Sequence, residues 1–179
     1  MAEQKQYKEE LKCPDGVKSS LVDNVLTVSG SKGEIKKKLV HPKVLVNVND
    51  NVITLSTDKR TKTDKRIFGT FKSHIKNMLK GVKDGFECKL KICSGHFPMN
   101  VNVAGNEFII KNFIGEKVPR KLKLSPEVKV KVEGDFITVE GNNKELVGQT
   151  AGSIEKLTRR SNFDRRVFQQ GIYVTEKTK

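Results

Sequence analysis

Two groups of residues in this 179-residue chain have types and spacings that suggest chemistry. The first is Cys88, Cys93 and His96. Zinc takes such ligands, but a structural site wants four that converge. Phe86, Cys88, Leu90 and Ile92 alternate as one face of a strand, which puts Cys93 on the other face. Small buried thiols without a metal are therefore expected. Cys13 brings the cysteines to an odd number at spacings unsuited to a disulfide framework. The second group is the tail 159–179, where Arg159, Arg160, Arg165 and Arg166 interleave with Phe163, Phe168 and Tyr173 ahead of Lys177 and Lys179. A guanidinium fork donates two parallel hydrogen bonds to a phosphate. Aromatic rings stack on unpaired bases, though the same rings also serve to anchor a tail to its own domain.

Catalytic signatures are lacking. There is no GxxxxGK(S/T), no GxSxG, no HExxH and no GxGxxG opening a helix. His41, His74 and His96 lie at dissimilar positions without sequence partners for acid–base work, and the acidic residues are scattered. No enzyme, cofactor or small-molecule substrate is expected.

Thirty-five Lys and Arg stand against 21 Asp and Glu, a net charge of +14. Residues 1–84 carry 18 basic and 10 acidic side chains, and residues 85–179 carry 17 and 11, so a basic tail on a neutral body is excluded. A charge spread in this way suits a protein lying along a polyanion and favours nucleic acid as the partner. No apolar run reaches the roughly 18–20 residues that span a bilayer. The opening MAEQKQYKEELK has no hydrophobic signal-peptide centre, so a cytoplasmic protein with no membrane partner is expected.

The elements that must position these residues come from a repeat. Val128, Val130 and Val132 alternate with Lys129, Lys131 and Glu133, Gly134–Asp135 turns, and Phe136–Val139 resumes a β-prone run. Val44, Val46, Val48, Asp50–Asn51 and Val52–Leu55 repeat that hairpin 84 positions earlier. Phe108–Ile110 answers Leu26–Val28, Gly115–Glu116 answers Gly33–Glu34, and Ile154 answers Ile75. The drifting register is what duplication followed by loop change leaves. Ahead of the hairpins, residues 1–16 read as an arm, and Asp23–Asn24 turns a hairpin from Leu21–Val22 to Val25–Val28. Gly30–Gly33 reads as a flexible connection, and Ser56–Arg66 as a basic loop holding Lys59, Arg60, Lys62, Lys65 and Arg66.

Phe71, Ile75, Met78 and Val82 predict the core stripe of a first helix with Gly81 at its C-cap and Lys72, Lys76, Lys80 and Lys83 on other faces. Asn142 and Glu145 have capping-box spacing at a second helix whose stripe is Thr150, Ala151, Ile154 and Leu157. The expected fold is α+β, two tandem duplicated modules, each a small antiparallel β-sheet packed against one α-helix. The boundaries are 1–84, including the arm, and 85–179, including the basic tail.

GTFKSHIKNMLKGVKDGFE (69–87), HFPMNV (96–101), NFIGEKVPRK (112–121), VGQTAGSIE (147–155) and RVFQQGIYVTEK (166–177) make the chain resemble a known family. It is the large-subunit ribosomal protein L-six family, called L-nine in eukaryotes, in its archaeal and eukaryotic branch. The resemblance implies a structural protein of the large ribosomal subunit that binds ribosomal RNA near the sarcin–ricin loop and the stalk base and supports translation. Implied partners are large-subunit RNA and neighbouring large-subunit proteins, including those of the stalk base. Carried over on matching motifs, the RNA-binding candidates are Gly115, Lys117, Arg120 and Lys121, then Arg166, Phe168, Gly171, Tyr173 and Lys177. Arg159, Arg160 and Arg165 join them on the phosphate argument alone. The family usually has Asp before the Gly-Ile-Tyr of the tail, where this chain has Gln170. A free-standing RNA-binding module or chaperone would explain the charge and the tail equally well, and only the family stretches separate the two.

Overall fold

A computed structural model describes residues 7–49, 51–57, 61–164 and 166–178. The chain divides into two compact units, Met1–Gly85 and Phe86–Lys179.

The first unit runs β1 (Tyr7–Lys12), β2 (Lys18–Val22), β3 (Val25–Gly30), β4 (Gly33–Lys38), β5 (Val44–Asn49), β6 (Val52–Thr57) and α1 (Lys62–Lys83). Its strands form two antiparallel sheets, ordered β2-β3-β4 and β1-β6-β5. Asp23 and Asn24 both take positive φ, at 48° and 60°, the geometry of the two-residue hairpin turn that their side chains tolerate. Leu26, Val28, Ile53 and Leu55 are fully buried from the two sheets, and α1 lays Phe68, Ile75, Met78, Leu79 and Val82 on them.

Several expectations for this unit are corrected. The presumed arm contains β1, which pairs along β6 from Tyr7↔Thr57 to Lys12↔Val52. Its polar sequence YKEELK buries only Leu11, so the apolar alternation that marks a strand is nearly absent. Gly30–Gly33 is a tight turn, and it closes the end of α1. Lys32 N–H donates to Val82 O at 3.0 Å and Ser31 Oγ to Lys83 O at 3.2 Å, which supplies partners that helix-terminal carbonyls otherwise lack. A Cβ on Gly30 would lie 2.4 Å from Val82 Cγ1, so only glycine admits the helix there.

Part of the expected basic loop is helix. Thr61 caps α1 by accepting from Asp64 N–H at 3.2 Å, and its hydroxyl donates to Asp64 Oδ2 at 2.6 Å. Lys62, Lys65 and Arg66 are thus in the first turns of α1, while Lys59 and Arg60 lie outside the described residues. Gly81 is buried inside the helix, and the glycine with positive φ after the last turn is Gly85. Of the lysine stripe, Lys72 is paired with Glu9, whereas Lys76, Lys80 and Lys83 are exposed.

The second unit runs β7 (Phe86–Ser94), β8 (Asn100–Ala104), β9 (Glu107–Lys111), a 3-10 turn (Phe113–Gly115), β10 (Arg120–Lys123), β11 (Val128–Glu133), β12 (Phe136–Gly141), α2 (Lys144–Leu157) and β13 (Gln170–Glu176). The sheets are β8-β9-β10 and β11-β12-β7-β13. The order β5-β6-β1 recurs as β11-β12-β7, and β2-β3-β4 recurs as β8-β9-β10. The α+β class and the tandem repeat therefore stand, with the strands of each unit shared between two small sheets. What the second copy adds is β13, which covers the free edge of β7. Leu90, Phe108, Ile110, Ile137, Ile154 and Ile172 are fully buried at its centre. Asn143, one residue later than expected, caps α2 by accepting from Glu145 N–H at 3.0 Å. Val147 joins Thr150, Ala151 and Ile154 on its buried face, and Leu157 is half-buried.

Candidate nucleic-acid interface

Three segments meet at the C-terminal end of α2: the turn after β9, the chain leaving the helix, and the start of β13. The turn is an unusual piece of backbone. Asn112, Ile114 and Gly115 all have positive φ, at 57°, 49° and 76°. Glycine takes this conformation freely, but a β-branched isoleucine does not. Packing and hydrogen bonds hold it. Phe113 is buried at 1% exposure, and Asn112 Nδ2 donates to Pro98 O at 3.0 Å.

Arg120 supplies the rest of the hold. Its Nε and one terminal nitrogen donate to the two carboxylate oxygens of Glu116 at 2.8 and 2.6 Å. Its other terminal nitrogen donates to Leu157 O, in the last turn of α2, at 2.5 Å. The guanidinium carbon stands 4.3 Å from the centre of the Phe113 ring. These hydrogen bonds, with the charges of Arg120 and then Arg160, hold the Glu116 carboxyl below the usual carboxylate range against the opposing effect of burial. Arg120, carried over as an RNA ligand, thus ties the turn to the helix.

The other end of the site is fixed by Thr158 and Gln170. Thr158 Oγ1 donates to Glu155 O at 3.0 Å and accepts from Ile172 N–H at 3.0 Å, which joins the end of α2 to β13. Gly171, φ +148°, allows that approach, since its Cβ would meet Thr158 Oγ1 and Tyr173 Oη, each at 3.3 Å. Gly171 is buried, so its contribution is to packing rather than to a surface. Gln170 is 6% exposed. Its Oε1 accepts from His96 and Phe97 N–H, each at 3.3 Å, and its Nε2 donates to Phe97 O at 2.5 Å. Aspartate could not make this pairing, because it is one methylene shorter and offers no donor when ionised.

Around this frame lie exposed cations and aromatic rings. Arg159 and Arg160 are exposed just after α2, with Arg160 stacked 4.6 Å from the Phe163 ring centre. Phe163 meets Phe168 edge-on at 5.4 Å, and Phe168 lies 4.7 Å from the His96 ring. Tyr173 is half-buried, its hydroxyl donating to Gln170 O at 3.4 Å. Lys117 is exposed in the loop after the turn. Arg166 is 91% exposed and bonded to Asp164, holding that carboxyl low through side-chain and backbone hydrogen bonds. Arg165 lies outside the described residues.

Two candidates stand apart from this cluster. Lys121, on β10, faces Glu107 at 3.6 Å, and Lys177 follows β13, about 20 Å along the strand from Gln170. Lys156, Phe113, Gln170 and His96 belong to the site although they were not among the RNA-binding candidates of the sequence. Nothing local in the sequence joins His96 to Phe168. The zinc trio is dispersed. Cys88 is buried and donates to Glu176 O at 3.2 Å, its thiol pKa pushed up by burial, while Cys93 is on the opposite face of β7 and His96 is against Phe168. Among the described residues, no three His, Cys, Asp or Glu side chains gather as metal ligands. No described helix is long and apolar enough to cross a membrane.

The fold and the cationic, aromatic end of the second unit define a tandemly duplicated α+β protein. The model of the ribosomal protein L6 family matches residues 13–85 and 97–171, one match in each unit. "Large ribosomal subunit protein uL6" of Methanosarcina mazei is 44% identical over 93% of this chain and 95% of its own length. Its namesakes in Methanobrevibacter smithii and Natronomonas pharaonis are 44% and 41% identical, over 95% and 93% of this chain and 96% and 94% of their own lengths. The chain belongs to the ribosomal protein L6 family.

Proposed function

We propose that this chain is a structural, non-enzymatic constituent of the large ribosomal subunit, held in the cytoplasm on large-subunit RNA and supporting translation. Its binding region lies by the sarcin–ricin loop and the stalk base, beside the large-subunit proteins found there. Residues 1–84 and 85–179 act as two folding units. The second presents Lys117, Lys121, Arg159, Arg160, Arg165, Arg166, Phe168, Tyr173 and Lys177 to RNA, while Arg120, Gly115 and Gly171 shape the surface that carries them.

The observation that carries this reading is the convergence of exposed Lys156, Arg159 and Arg160 on a rigid aromatic frame, in a family whose relatives bear large-subunit names. Cations on such a frame replace counterions along phosphates with little ordering cost. Specificity comes from RNA shape, because the A-form major groove is too narrow for side chains. If exposed Lys117, Lys156, Arg159, Arg160, Arg166 and Lys177 each meet one phosphate, log affinity falls with log salt at a slope of about −4 to −5. The test is co-sedimentation with purified large subunits at physiological salt, where the chain is expected in the subunit peak. Its absence from that peak would overturn the assignment.

A further inference from the structure

The second unit contains a pocket of about 280 Å³ at the end of α2. It is small beside the roughly 300–1,000 Å³ of sites for drug-sized ligands. Phe163, Phe168 and Tyr173 are among its walls, and Lys156, Arg159 and Arg160 supply its positive charge. Phe163 is 37% exposed although Phe168 and Arg160 pack on it, which leaves ring surface unused by the protein's own core. The acidic residue Glu155 also lines the pocket.

This mixture of groups selects among ligands. A bare phosphate would suit the cations but gain nothing from the rings, and it would be repelled by Glu155. An apolar side chain would suit the rings and leave three cations without use. A flat, neutral ring joined to anionic groups satisfies both parts. We propose that the pocket receives one unstacked RNA base bearing an exocyclic amino group. The base lies against Phe163, its amino group donates to Glu155, and the phosphates on either side meet Lys156, Arg159 and Arg160. Stacking of splayed bases on aromatic rings and guanidinium planes is a general mode of single-strand recognition. The frame is rigid where this needs it, because Gln170, Thr158 and Arg120 hold its three segments together.

The inference rests on the RNA-binding reading above, and the experiment separates the two. The chain contains no Trp, so 2-aminopurine fluorescence in a bound RNA can be read without interference. The full chain is titrated with an RNA duplex carrying one bulged 2-aminopurine, and with the same duplex in which that base is paired. The bulged RNA is expected to bind about tenfold tighter, with quenching on binding. Phe163→Ala removes both the preference and the quenching, and Phe163→Tyr keeps them. A bulged uridine gains less than a bulged adenosine, because it lacks the amino group. Equal binding of bulged and paired RNA would overturn the pocket assignment and leave RNA binding in place, as would quenching that survives Phe163→Ala. Binding of neither RNA at low salt would overturn both. The wild-type contrast needs no variant, so a folding defect in F163A leaves the test intact.

Discussion

Arg120→Ala separates a strut from an RNA ligand. The Arg120 side chain is 24% exposed and Glu116 is 32% exposed, so their ion pair is partly screened and contributes at most about 1 kcal/mol. The hydrogen bond to Leu157 O is charge-assisted and joins the turn to the helix end, a class worth about 1.5–3 kcal/mol. Contact with the Phe113 face adds about 0.5–1 kcal/mol. One side chain makes all three, so they do not add in full, and a loss of about 2–3 kcal/mol is expected. On a unit of this size, that lowers the melting temperature by roughly 10–15 °C. Calorimetric or circular-dichroism melts of the full chain measure it, with Lys121→Ala as control. Lys121 and Glu107 are more than half exposed at 3.6 Å, and their loss should move melting by about 2 °C or less. Arg120→Lys should recover less than half of the loss, because an ammonium cannot fork across Glu116. If Arg120→Ala melted with the wild type while RNA affinity fell, the residue would be a ligand and the strut reasoning would be wrong.

Ile154 is fully buried on α2, so Ile154→Asp places an unpaired charge in the core of the second unit and should unfold it, at a cost above about 4 kcal/mol. Unchanged melting of that variant would show that the helix face is misplaced. Gln170→Glu keeps the acceptor, loses the donor to Phe97 O and sets a carboxylate against that carbonyl, so a loss of about 1–3 kcal/mol is expected in denaturant titrations. The Glu116 carboxyl is held low by Arg120 in the folded state, so its contribution is present above the unfolded carboxylate pKa and is lost as pH falls through the depressed folded value. Melts of wild type and Glu116→Gln should therefore differ at neutral pH and converge in acid; a gap that persisted into strong acid would contradict the pairing.

The repeat was legible because its signals are local. VKVKVEGDFITV writes both strands and the turn of β11–β12 within one stretch, and the same pattern marks β5–β6. Much of the core was readable for the same reason, since Ile75, Met78, Val82 and Ile154 share a helical period with their neighbours. Thr61 and Asp64 also form a readable helix start, but the surrounding lysines suggested a loop. What escaped depends on contacts between distant residues. β1 lacks an apolar face and is a strand because β6 pairs with it. Arg120 meets Leu157 and Gln170 meets Phe97 across 37 and 73 positions, so a motif match could name these residues without showing that they face inward. Within the tail, charge identified the exposed arginines, while their assembly with His96 and Phe113 required the fold.

The central claim is that the second unit grips large-subunit RNA through the end of α2 and the tail. A protein–RNA cross-linking map of the chain within purified large subunits tests it most directly. We predict cross-links from Lys117, Lys156, Arg159, Arg160, Phe163 and Tyr173 to RNA of the sarcin–ricin and stalk-base region. Cross-links confined to the exposed lysines of α1, with none from residues 113–121 or 156–177, would contradict it.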